Sequence, residues 1–381
     1  MASKTYQVAL KPLEPYFFAG ERSFGFGKNR KQNYNNYFIR SESFPTQTTL
    51  LGTMRYEILK ISDLLTTDSS KQDSSLQTKQ AKYIGVKSFD VQESNPDYGM
   101  IKKLSPLFII DPSNERLVRV PFNQDSKSKI EKDNETIYQY NLRTLKKDAY
   151  QVFDGSKDYQ IKLIDKVELK SEDAIKKQFY NIDNNSLELI DESKIIKSIE
   201  KVGINRYLEK DGFFKKEYKY LNRDYQFGFY LEIDDDSFDE KLDDIIQDVV
   251  YMGSGKSAFE LTMTKIEVTI DDFINQVIDC FSLPADDVVY YAMSDILVDY
   301  QKIEPCCYLT ISDTRTFRYL KTNTQAKRYY DTYHQSNLFN IILAGSVFFV
   351  KDDQEDNFIS EIENNNYEKI GFNQILKIGG K

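Results

Sequence analysis

The chain has 381 residues, with 51 Lys plus Arg against 60 Asp plus Glu, a formal charge of −9 and a sequence pI near 5.1. That length gives room for two or three domains with real hydrophobic cores and no need of disulfide or metal staples. The acidic balance excludes a globally basic nucleic-acid coat, so an RNA or DNA partner must be held by local patches. With 27 Tyr, 25 Phe and no Trp the aromatic content reaches 14%, which leaves rings available for stacking surfaces.

Cys280, Cys306 and Cys307 make neither a disulfide framework nor a Cys/His zinc pattern, and they point to a reducing compartment. The first residues lack a signal-peptide pattern, and the longest apolar stretch, residues 339–350, is too short to span a bilayer. The expectation is a soluble, cytoplasmic protein with no membrane partner. A single histidine, His334, removes most mechanisms built on imidazole acid and base or on several histidine ligands. No metal and no cofactor is expected.

In chain order, Tyr6, Val8 and Leu10 alternate with polar neighbours and predict a strand ended by Lys11-Pro12 and Glu14-Pro15. Pro45-Thr46-Gln47-Thr48-Thr49 then leads into Leu50, Leu51, Met54, Ile58, Ile61 and Leu65, a helical stripe with threonine N-cap candidates. Residues 66–80 and 125–135 are polar and read as exposed loops within an insertion of about 66–200. Residues 201–207 and 225–233 are strand-like and expected to pair antiparallel. Residues 232–248 hold nine acids and one lysine, with Leu242, Ile245, Ile246 and Val249 at helical spacing, which predicts an acidic amphipathic helix. Phe238 stands where a third oxygen ligand of a calcium loop belongs. Residues 258–269 read as a strand.

The resulting order, strand-helix-strand-strand-helix-strand, is that of a ferredoxin-like or RRM-like unit. A helix around 272–281 and strands at 288–292, 307–311, 341–350 and 370–378 predict a second, less regular copy. The expected fold is α+β, two ferredoxin-like (RRM-like) domains with antiparallel sheets. The first, 1–270, carries the large insertion, and the second is 271–381.

Three stretches bear on chemistry. Met252-Gly253-Ser254-Gly255-Lys256-Ser257 ends like a Walker A loop, but Val250 stands where its first glycine belongs, and a helix before and a strand after is the wrong context. A glycine turn whose amides, Lys256 and Ser257 touch a polynucleotide phosphate is the functional reading. Residues 20–40 interleave Arg22, Lys28, Arg30, Lys31 and Arg40 with Tyr34, Tyr37 and Phe38, and residues 22–60 hold seven basic and two acidic side chains. Cations for the backbone and rings for unpaired bases are the chemistry of single-stranded RNA binding. A second patch, 313–330, sets Arg315, Arg318, Lys321, Lys327 and Arg328 among Phe317, Tyr319, Tyr329 and Tyr330.

Taken in order, the strand-then-proline start Leu10–Pro15, the helix start Pro45-Thr46-Gln47-Thr48-Thr49-Leu50-Leu51-Gly52-Thr53-Met54-Arg55, Gly203-Ile204-Asn205-Arg206, the turn at Gly253 and Gly255, Ala344-Gly345-Ser346-Val347 and Gly371-Phe372-Asn373 with Gly379-Gly380 resemble CRISPR RAMP proteins. The pattern is most similar to the third subunit of type III-B (Cmr) effector complexes, of the Cas five group. It runs nearly end to end, apart from residues 66–200.

The resemblance implies two ferredoxin-like domains and a non-catalytic role in antiviral defence. The chain would hold the 5′ tag of the guide crRNA and dock on the large polymerase/cyclase-like subunit. The backbone RAMP subunits would be further partners, and the target RNA an indirect one. It places Thr48, Thr49, Arg55 and residues 22–40 along the guide RNA, with Asn205, Arg206, Lys256 and Ser257 as further contacts. Two alternatives stay open: a RAMP-type endoribonuclease using His334 or an acid such as Asp211 or Asp224, and an RNA-free module whose acidic face binds a basic protein.

Overall fold

The computed structural model describes residues 3–24, 37–66, 74–122, 128–132, 135–139, 177–184, 189–205, 212–234, 245–253, 255–282, 288–323 and 333–380. The chain divides into two units. The first is Met1–Asn114, Ser193–Glu267 and Arg318–Leu338, and the second is Glu115–Glu192, Val268–Phe317 and Phe339–Lys381.

The first unit holds β1 (Lys4–Pro12), β2 (Phe18–Phe24), β3 (Tyr37–Glu42), β4 (Ile101–Leu104), β5 (Phe108–Ile110), β11 (Ile196–Asn205), β12 (Gly212–Leu221), β13 (Gln226–Ile233), β14 (Ile245–Met252), β15 (Ser257–Ile266), β19 (Leu320–Thr322) and β20 (Tyr333–Gln335), with helices α1 (Gln47–Ile61) and α2 (Ser74–Ile84). The second holds β6 (Arg116–Arg119), β7 (Ser128–Lys132), β8 (Glu135–Gln139), β9 (Gln178–Asn181), β10 (Ile190–Asp191), β16 (Val288–Ala292), β17 (Cys307–Ile311), β18 (Thr314–Phe317), β21 (Phe339–Ile342), β22 (Val347–Val350) and β23 (Ile375–Gly379), with α3 (Ile270–Phe281) and α4 (Glu355–Ile362).

The main sheet of the first unit runs β5-β13-β1-β15-β14, all antiparallel, and β4 also pairs with β13. The alternation foreseen in β1 buries Tyr6, Val8 and Leu10, whose ladder partners Leu231, Phe229, Phe227, Met263 and Leu261 are also buried. Thr46 caps α1 by accepting from the Thr49 N–H, and α1 buries Leu50, Leu51, Met54 and Ile58. In the second unit the antiparallel order is β17-β22-β16-β23, with Val288, Tyr290, Phe348 and Val350 packed on Phe358 and Ile362 of α4. A capping box between Thr269 and Asp272 starts α3. Four strands of each unit, taken in chain order, sit second-third-first-fourth across the sheet. The molecule is a mixed α+β protein of mostly antiparallel sheets, compatible with a ferredoxin-like arrangement.

Four local expectations are corrected. Residues 245–252 form strand β14 where an acidic helix was expected, while 235–244 lie outside the described residues. Val250 and Met252 are buried and Val249 and Tyr251 exposed, so the period of two prevails because β15 offers a whole edge to pair with. The polar run expected as a loop becomes helix α2 from Ser74, tied by the buried Gln80 side chain donating to the Leu64 carbonyl. The strand at 196–205 pairs with β12, and β13 pairs with β1 instead. The expected single strand 341–350 is broken by Gly345 at φ +100°, where a Cβ would lie 2.4 Å from the Phe122 ring.

Candidate nucleic-acid interface

The second sheet of the first unit runs β11-β12-β3-β2. Residues 25–36 join β2 to β3, and residues 206–211 join β11 to β12. The register aligns these ends, because Phe24 pairs with Tyr37, Tyr37 with Phe214, and Phe214 with Gly203. Both connections therefore leave the sheet at one end. Arg22 lies on β2 and Asn205 on β11, flanking that end. Lys28, Arg30, Lys31, Tyr34 and Arg206 lie outside the described residues.

Cross-strand partners share a side of a sheet, and neighbours along a strand alternate. On one side of the β11–β12 ladder Glu200 stands opposite Glu217. That acidic pair is compensated within the sheet. Lys215 Nζ reaches Glu200 at 3.0 Å, Lys219 pairs with Glu217, and the Ser198 hydroxyl lies 3.1 Å from Glu217. On the other side Lys201 stands opposite Lys216, and among the described residues no carboxylate pairs with either. Their ammonium groups sit over rings instead. Lys216 Nζ is 3.6 Å from the Phe17 centroid and 5.0 Å from that of Tyr218, and Lys201 Nζ is 4.7 Å from Tyr218. A ring face attracts a cation without neutralising it, so this side stays positive.

The glycine turn arrives at the same place. Gly253 has φ +73°, and a Cβ there would lie 2.5 Å from the Phe17 carbonyl oxygen. A Cβ on Gly255 would lie 3.3 Å from Phe17 Cβ. The absence of both side chains lets the β14–β15 turn lie on the residue whose ring carries Lys216. Lys256, exposed at φ +49°, belongs to this turn. Ser257 does not remain a phosphate contact: it is buried and its hydroxyl accepts from the Phe17 N–H at 3.1 Å.

The other expected contacts are dispersed. Arg55 is 6% exposed; it donates to the carbonyls of Ile84 at 3.0 Å and Gly85 at 3.4 Å and to the Thr322 hydroxyl at 3.2 Å, and burial pushes its guanidinium down to about 10. It is a structural clamp and no phosphate contact, since its donors end on protein. Thr48 and Thr49 are half-buried, and their hydroxyls each lie 3.0 Å from that of the cap Thr46. Arg40 is exposed on β3, 5.5 Å from the Phe38 centroid, on the compensated side of the sheet.

The second basic patch is taken apart by its partners. Arg315 pairs with Asp295 at 2.7 Å, Lys321 with Asp90 at 2.7 Å, and Tyr319 is buried with its hydroxyl 3.1 Å from Asp90. Its Lys327, Arg328, Tyr329 and Tyr330 lie outside the described residues, and His334 is exposed on β20. Asp224 is an exposed turn residue paired with Lys11 at 3.2 Å, and Asp211 lies outside the described residues.

The sequence reading missed Phe17, Lys201, Lys216 and Tyr218. Their signal is the alternation in Phe214-Lys215-Lys216-Glu217-Tyr218-Lys219, which carries meaning only once β11 is set opposite it. Among the described residues no group of three or more His, Cys, Asp or Glu is placed to hold a metal, and no helix is long and apolar enough to cross a membrane. No protein-family model and no curated protein matches the chain.

Proposed function

We propose that this chain is a non-catalytic RNA-binding subunit of a type III-B CRISPR effector ribonucleoprotein. In this reading it holds the 5′ tag of the guide RNA, docks on the large polymerase/cyclase-like subunit and works in the cytoplasm in antiviral defence. Its two units are ferredoxin-like repeats, since each sheet holds four strands in second-third-first-fourth order. The observation that carries the reading is the uncompensated Lys201–Lys216 pair on a sheet whose end also receives the basic segment 25–36. Phosphates are the counter-charge such a surface lacks.

Purification of the tagged chain from its native host, followed by RNA sequencing and mass spectrometry, tests this. The expected result is short RNAs with a constant 5′ end and a large polymerase-like partner. Recovery of an RNA-free, partner-free chain would overturn the proposal.

A further inference from the structure

Resting on the RNA reading, we infer that the side of the β11–β12 sheet bearing Lys201, Lys216 and the Lys256 turn grips the phosphodiester backbone of RNA without reading its bases. Like charges directly opposite in a ladder are unfavourable, and this sheet contains two such pairs. The acidic one, Glu200–Glu217, is satisfied by Lys215 and Lys219; the basic one, Lys201–Lys216, has no carboxylate partner among the described residues and is open to an anion from outside.

The rings beside the lysines are not open stacking platforms. Phe17 is 3% exposed, lies under the glycine turn and carries Lys216 at 3.6 Å. The Tyr218 ring is engaged by both ammonium groups, at 4.7 and 5.0 Å. A base stacking on Tyr218 would compete with cations already engaged by that ring. What the patch presents outward is N–H donors, three on each lysine, which suit phosphate oxygens and carry no sequence information. Any recognition of a particular 5′ sequence then belongs to other residues.

The test uses the full chain and fluorescence anisotropy with a short single-stranded RNA, a base-scrambled RNA and an abasic strand of equal length, each titrated across salt concentrations. Lys201→Met and Lys216→Met, singly and together, keep the apolar stems over the rings. The expected result is equal binding of scrambled and abasic strands by the patch. In the double variant affinity falls about tenfold, and the slope of log affinity against log salt falls by about 1.4, roughly 0.7 for each lost phosphate contact on a single strand. The variant's melting temperature in the absence of RNA holds or rises, because a repulsive pair is gone; a purely structural pair would lower it.

Wild-type affinity and slope in the double variant would overturn the patch while leaving RNA binding by the chain in place. A large preference for base-bearing over abasic strands that disappears in Tyr218→Leu would overturn backbone-only contact. Failure of the wild-type chain to bind any strand would sink the RNA reading and this inference with it.

Discussion

Two charged residues on α1, Arg55 and Glu57, are both buried, at 6% and 1% exposure, and they show opposite ways of managing that burial. Arg55 spends its donors on the carbonyls of Ile84, which ends α2, and of Gly85 just beyond it, where a cation also complements the helix dipole, and on the Thr322 hydroxyl. Arg55→Ala should destabilise the first unit by roughly 2–4 kcal/mol in urea unfolding, from lost charged hydrogen bonds and stranded carbonyls. RNA affinity of the folded fraction should be unchanged, and Arg55→Lys should not rescue stability, because Arg55 reaches its acceptors from three separate nitrogens and an ammonium's donors all radiate from one.

Burial first, and then the Asp248 carboxylate, to which the protonated Glu57 can donate a hydrogen bond, raise the Glu57 carboxyl from 4.5 to about 7 against the opposing pull of Lys60. Asp248 itself is lowered: burial opposes its charge, but hydrogen bonds from Lys60 and the Val249 N–H prevail. For an acid raised on folding, the stability is full below the unfolded value near 4.5 and is lost as pH rises towards 7. Glu57→Gln should therefore raise the melting temperature at pH 8 and leave it little changed near pH 5. Parallel melting curves of variant and parent at both pH values would argue against this.

At the scale of elements, the β14–β15 turn is the piece whose shape depends on glycine. Gly253→Ala adds a Cβ at positive φ into the Phe17 carbonyl, so a loss of about 1–3 kcal/mol is expected by chemical denaturation. The same change should weaken RNA binding, because Phe17 carries Lys216. Lys256→Gly relieves a left-handed non-glycine residue at φ +49° and should be neutral or stabilising while removing one cation. Thr46→Ala should cost about 1 kcal/mol through the lost α1 cap. The β14–β15 turn lies against Phe17, whose ring carries Lys216. Gly345 accommodates Phe122, and Asn373 is buried between Leu297 and Ile362, accepting from the Leu297 N–H at 2.7 Å and donating to the Ile362 carbonyl at 2.7 Å. Those two motifs of the RAMP-like pattern are explained by packing.

Across the whole molecule a formal charge of −9 surrounds a local positive surface. Long-range repulsion of RNA by the rest of the chain is screened beyond a Debye length of about 8 Å at physiological salt, so the proposed binding would depend on local contacts at the basic sheet. Replacing Asp239, Asp243 and Asp244 with Asn should leave RNA affinity intact or slightly raised in anisotropy titrations. Should that acidic stretch dock a neighbouring subunit, the same variant loosens assembly in a pull-down at moderate salt; an unchanged complex makes it a solvated surface.

β1 and α1 are legible along the chain because their signals are local: a period of two in Tyr6, Val8 and Leu10, and a threonine cap before a helical stripe. Residue types also mark residues 20–40 and the glycine turn as places where cations and bare backbone gather. Residues 245–252 become a strand through a long-range contact, since helical and strand spacing coexist there and the free edge of β15 chooses between them. Long-range contacts likewise make Arg55 a clamp, because its acceptors lie at the end of α2 and on β19, and bring Lys201 opposite Lys216 and Glu200 opposite Glu217. Strand register is a property of pairs. No window along one strand contains it, and a slip of one residue would have exchanged the two sides of the sheet.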